Sequence, residues 1–183
     1  MPPTAPNLDH WIPDPQIRTR HRRVSAAEPD ALWAAANAVR LEETGTIGRL
    51  VRWRIPGVPW SESFAGMLAS DPFIVLDAGE HHAVSGLAGR IWTVARDYPQ
   101  LDGPEAFLAW SVARTVKVVI AHWVEPDPDS GGTAIVSEAR VAPTDRVAAA
   151  RLKALWLVVA PFERLIGAEP LALAVKGAEG SAG

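Results

Sequence analysis

The stretch from Thr133 to Val141, TAIVSEARV, reads as a strand and leads into a segment of different period. There Ala148, Leu152, Leu155, Val159, Phe162 and Ile166 stand 4, 3, 4, 3 and 4 residues apart. Those spacings draw one apolar stripe on an α-helix, with Arg146, Lys153 and Arg164 nearly opposite. Thr144 is expected to cap this helix, and Asp145 suits its positive end. Pro161 removes the hydrogen bond to the Leu157 carbonyl and should bend it, and Pro170 bends or ends it.

The same periodicity orders the rest of the chain. Gln16 to Val24 reads as a first strand. In SAAEPDALWAAANAV, Pro29 fits the first turn of a helix, and Leu32, Trp33 and Ala36 share a face. RLEETGTIGRLVRWRIPG suggests a turn and a second short helix with Ile47, Leu50 and Val51 on one side, stopped by Pro56-Gly57. From PFIVLDAGEHHAVSGLAGRIWTV onward the signal is β, broken by glycines as in a curved hairpin, and FLAWSV and TVKVVIAHWVEP continue it. DPDSGG is turn chemistry before the last strand. The order predicts an α+β fold. A curved antiparallel β-sheet wraps around a long C-terminal α-helix, with two short helices after the first strand.

The chain has 183 residues, which suits one domain with a sizeable core. Prolines in MPPTAPNLDHWIPDPQ suggest a flexible tail over residues 1–15, so the domain is expected over 16–176, with a second flexible tail over 177–183. Eight Trp against one Tyr supply large rings for a core or an apolar cavity. A net charge of -3 argues against nucleic acid as the main partner, despite the local run IRTRHRR. With no Cys, disulfide and thiolate chemistry are excluded, and a cytoplasmic location is expected. Ala154 to Phe162, nine residues, is among the longest runs without a charged side chain. A membrane span needs roughly 20 apolar residues, so none is expected, and the first residues lack a secretory-signal pattern.

The order and three motifs resemble the helix-grip superfamily, which includes START-related lipid-transfer domains and polyketide cyclases and dehydrases (SRPBCC-like). VSAAEPDALW (Val24–Trp33) is similar to the opening of many bacterial members. HHAVSGLAGRIW (His81–Trp92) resembles their strand ending G-x-x-G-R-x-W, and GGTAIVSEARVAPTD (Gly131–Asp145) resembles their run into the last helix. The resemblance covers roughly residues 16–176. It implies an apolar cavity beneath the long helix and supplies no universal catalytic residues. Ser137 and Ala139 stand where the family pattern has threonines.

Strand period puts Glu138 and Arg140 on one face with Ala134 and Val136, and Ile135, Ser137, Ala139 and Val141 on the other. Facing a cavity, the two charges must be paired, and they could hold a ligand's polar head or polarise a carbonyl. Facing out, they form a structural or surface pair. His122 shares a face with Arg114, Val116, Val118 and Ile120 and is a core, rim or ligand-contacting residue. His81 and His82 point to opposite faces if both lie on a strand, and His82 joins the candidates. No metal-ligand spacing, G-x-S-x-G elbow, P-loop or dinucleotide fingerprint occurs, so no metal and no cofactor are expected. Trp110 and the stripe residues Leu155, Val159 and Phe162 are candidate cavity lining. Arg151, near the stripe's edge, is a rim residue or pairs with a sheet carboxylate such as Asp77.

The leading expectation is binding of an apolar small molecule (lipid, polyketide or aromatic) by a carrier or sensor. An acid–base enzyme of the cyclase or dehydratase type would use Glu138, His122 and His82, with Arg140 stabilising an enolate. A protein-interaction module would use the Arg-rich first strand or the bent C-terminal helix.

Overall fold

In the computed structural model, residues 5–45, 49, 61–93, 97–160 and 163–180 are described, without the side chains of 163–167. After a 3-10 turn at Leu8–His10 come β1 (Ile17–Ser25), α1 (Pro29–Ala38), a 3-10 turn at Leu41–Glu43 and α2 (Phe64–Leu68). The β2 (Ile74–Gly79) and β3 (His82–Gly89) hairpin follows, then α3 (Pro104–Leu108), β4 (Val116–Pro126) and β5 (Thr133–Pro143). The chain closes with α4 (Arg146–Val159) and α5 (Glu163–Gly180). The fold is α+β, built on one five-stranded antiparallel sheet in the order β1-β5-β4-β3-β2. The sheet is open, with β1 and β2 at its edges.

Pairing registers fix which residues share a face. Val118, Ile120, His122 and Val124 of β4 stand opposite Val141, Ala139, Ser137 and Ile135 of β5. This side carries the helices. Leu171, Ala174 and Ala178 of α5, Leu32 of α1 and Val39 just after it pack on Val124 and Ile135. Met67 and Leu68 of α2 pack with Leu87 and Ile120, and Leu152 of α4 packs with Val116 and Val141. The other side carries Val119, Ala121 and Trp123, opposite Arg140, Glu138 and Val136. It is covered by Leu8, Trp11, Ile12 and Phe107 of α3, so the sheet is buried on both faces. Leu76, at a register shift between Val75 and Asp77, lies across Gly86. A Cβ on Gly86 would fall 2.8 Å from Leu76, which is why the strand needs glycine there.

Several expectations are revised. FLAWSV is not a strand: Pro104 starts α3 and Phe107 is buried in the outer core. Residues 1–15 are not a loose tail throughout, since Leu8, Trp11 and Ile12 are buried, and α5 carries helix into the expected C-terminal tail as far as Gly180. Asp145, not Thr144, caps α4, its side chain accepting from the Ala148 N–H, while Thr144 Oγ1 accepts from the Thr115 N–H and donates to the Thr115 carbonyl. Pro170 lies inside α5 without ending it. Among the described side chains of the expected stripe, only Ala148 and Leu152 are buried. Leu155 and Val159 are half-buried, and Leu157 is 75% exposed. Leu171 and Ala174 of α5 cover the sheet instead. Ile47, Leu50, Val51, Pro56, Gly57, Pro161 and Phe162 lie outside the described residues.

Glu138 and Arg140 lie on the outer side of the sheet, 1% and 6% exposed. Glu138 Oε1 accepts from Arg140 Nε at 2.7 Å and Arg18 Nε at 2.9 Å, and its Oε2 accepts from Arg18 Nη2 at 3.1 Å. Arg140 Nη1 donates to Asp9 Oδ1 and, at 2.9 Å, to the Ile12 carbonyl. Arg140 thereby ties residues 9–12 to the sheet. Burial alone would raise the Glu138 pKa, but the hydrogen bonds from Arg18 and Arg140 outweigh it and hold the carboxyl below its usual range. Farther along, Arg20 and Arg22 donate to Glu125, Arg22 also donates to Asp127, and Arg20 lies 5.2 Å from the Trp123 ring centroid. The alternate arginines of IRTRHRR are thus matched by Glu138 and Glu125 of the sheet and by Asp127 just beyond β4.

Arg140→Met is expected to leave Glu138 with Arg18 alone and to release residues 9–12. Urea denaturation should show a loss of about 3 kcal/mol, with faster proteolysis within residues 5–15. Glu138→Leu combined with Arg140→Met should recover much of that loss, because apolar side chains can replace a buried ion pair. A single variant as stable as the parent would contradict the tether.

Candidate functional site

The candidate site is a cavity of about 230 Å³ between α1, α2 and the helix-covered side of β2, β3 and β4. Trp33 and Asn37 come from α1, and Phe64 and Leu68 from α2. The floor is Ser85 of β3 with Ile120 and His122 of β4. The two-residue strand period puts Ile120 and His122 on the same side, and Ser85 pairs across with Ile120. Space remains because alanines stand at wall positions 36, 65, 69, 78 and 83 where larger side chains would fill it.

His122 is the distinctive group. Its ring lies 5.3 Å, centroid to centroid, from Phe64 and is tilted by 54°. Burial disfavours its charged form and lowers its pKa to about 4. The ring keeps some accessible surface because the cavity opens against it, although protein crowds it elsewhere. No described group hydrogen-bonds to its ring nitrogens. At neutral pH it is an uncharged imidazole with one donor and one acceptor. Ser137 faces it across the β4–β5 pair, and His21 faces Ser137 across β5–β1, so a polar row crosses this side of the sheet.

The other candidates fall elsewhere. Glu138 and Arg140 are on the opposite side, bound to each other, Arg18 and Asp9, so they do not meet His122. His82 is also on that side, opposite Trp123, with Nε2 3.2 Å from Asp77 Oδ2. His81 occupies the hairpin turn, 2.6 Å from Asp30 Oδ1 on α1. Trp110 donates to Thr115 Oγ1 at 2.9 Å, away from the cavity. Arg151 lies 5.8 Å from the Trp92 ring centroid rather than beside Asp77. Leu155 and Val159 belong to α4 and do not line the cavity. The cavity therefore sits under the first two helices, not under the last. Sequence reasoning missed Asn37, Phe64, Leu68 and Ser85. Trp33 is visible in the sequence as part of the α1 apolar face, but its destination is not.

One further cluster brings ligand atoms of Asp30, Glu80 and His81 within 4.8 Å of one another. It lies at the start of α1, whose positive end disfavours a cation. Among the described residues no helix is long and apolar enough to cross a membrane.

No protein-family model and no curated protein matches the chain. Among solved structures it is similar to the crystal structure of TTHA0849 from Thermus thermophilus, with 11% identity over 91% of this chain and 100% of that one. The TM-score is 0.34, a likeness that carries no argument about fold or activity.

The depressed His122 pKa has a definite consequence. The unfolded chain takes up this proton near pH 6.5 and the folded chain only near 4, so the stability contribution is present above 6.5 and is lost as pH falls through that window. Asp9 and Glu138, also depressed, act in the same direction at lower pH. Urea midpoints measured between pH 7.5 and 4.5 should fall with acid. His122→Phe should flatten the upper part of that slope, which is worth at most about 3 kcal/mol.

Proposed function

We propose that the chain is a cytoplasmic carrier or sensor that binds a small apolar molecule in the cavity between α1, α2 and β2–β4. The observation that carries this reading is the cavity itself: an apolar chamber against the sheet, furnished with a few uncharged polar groups. The order of strand, helices, antiparallel strands and C-terminal helix, together with the three motifs, supports a helix-grip arrangement. In that arrangement the chamber has shifted from the last helix to the first two. The cyclase or dehydratase alternative needs acid and base groups converging in one chamber. Glu138 and His82 lie across the sheet from His122, so binding without chemistry is favoured.

Calorimetric titration with naphthalene should give saturable binding to the purified protein. Ala65→Leu, which adds bulk at a cavity wall, should weaken that binding about tenfold or more while the protein remains folded by circular dichroism. Equal affinity in the two proteins would exclude the cavity as the site.

A further inference from the structure

The cavity wall says what kind of molecule fits, given that it binds one at all. Among the described residues, no Asp, Glu, Lys or Arg lines it. Besides the Trp33 indole N–H, its polar side-chain groups are the Asn37 amide, the Ser85 hydroxyl and the His122 imidazole. A carboxylate or ammonium moved there would lose its hydration and meet no counter-charge, which is strongly unfavourable. The network of Arg18, Glu138, Arg140 and Asp9 lies across the sheet and is already internally paired.

Size narrows the choice further. An apolar cavity of roughly 150 Å³ accommodates benzene, so about 230 Å³ suits two fused rings or one ring with a short substituent. A long acyl chain does not fit this volume. The Trp33 and Phe64 rings on the wall offer edge and face contacts to an aromatic guest. The guest needs a polar atom as well. His122 has no hydrogen-bond partner among the described residues and its ring lines the cavity, so its ring nitrogens are open to a polar atom of the guest.

We propose that the site selects an uncharged, compact aromatic molecule of about two rings, whose single hydroxyl or carbonyl hydrogen-bonds to His122. The proposal rests on the cavity-binding reading above and narrows it. Fatty acids, phospholipids and other charged amphiphiles are excluded. The imidazole can accept from a hydroxyl or donate to a carbonyl, so both guest types are served by one side chain.

The test is calorimetric titration of the whole protein at neutral pH with four probes: naphthol, naphthalene, naphthoate and palmitate. Naphthol should bind several-fold more tightly than naphthalene, naphthoate at least about tenfold more weakly than naphthol, and palmitate not at all. His122→Leu should collapse the advantage of naphthol over naphthalene, and His122→Gln, which keeps a hydrogen-bonding group, should restore part of it. Naphthoate or palmitate binding as tightly as naphthol would overturn the proposed selectivity while leaving cavity binding intact. So would an unchanged naphthol-to-naphthalene ratio in His122→Leu. If none of the four binds, the cavity-binding reading and this proposal fall together. If His122→Leu does not fold, the comparison of naphthol, naphthoate and palmitate on the parent protein still decides the question.

Discussion

A sheet covered on both faces has nowhere to leave a bare charge. That constraint governs this molecule. Glu138 is in the middle of β5, one of the three interior strands, beneath the packed N-terminal residues. It is tolerable there only because two guanidiniums surround it. Arg140 then reaches on to Asp9 and the Ile12 carbonyl. One ionic chain thus neutralises the outer face and also holds down the segment that covers it. Leu8, Trp11 and Ile12 supply the apolar part of the cover, and Phe107 meets Trp11 edge-on at 6.4 Å.

With Glu138 and Arg140 on the outer side, the inner side of β4 and β5 is left for apolar contacts and neutral polar groups. Alternation does the sorting. A one-residue slip of β4 or β5 would exchange the two sets and expose the charges to the helices. The register therefore protects the uncharged character of the cavity as well as the core. His122 fits that environment because it becomes neutral by losing its proton, whereas Arg140 keeps its charge and Glu138 would have to take a proton up.

Element identity is largely readable from period. The strands β1 to β5, the Pro29 start of α1 and the turn before β5 follow directly from local chemistry. FLAWSV misleads because an apolar run of six residues fits a strand or a buried helical turn equally, and Pro104 is the better guide. The placement of Glu138 and Arg140 is not readable, because both faces of TAIVSEARV are apolar enough to be buried. Only the partners on β1 and in the N-terminal segment decide it. The cavity is foreseeable in kind but not in position. A stripe on one helix says that something is covered, but not which neighbouring helix does the covering. The alanines that make the space give no local signal, since alanine suits helix, strand and core alike.

The sheet stops at five strands without closing on itself, so two rows of backbone groups face outward along β1 and β2. Such rims invite neighbouring chains to add strands and grow into ribbons. Here one rim is a bristle of arginines, and the other is six residues long and broken at Leu76. Neither makes a flat template for another molecule, which guards an unclosed architecture against runaway stacking.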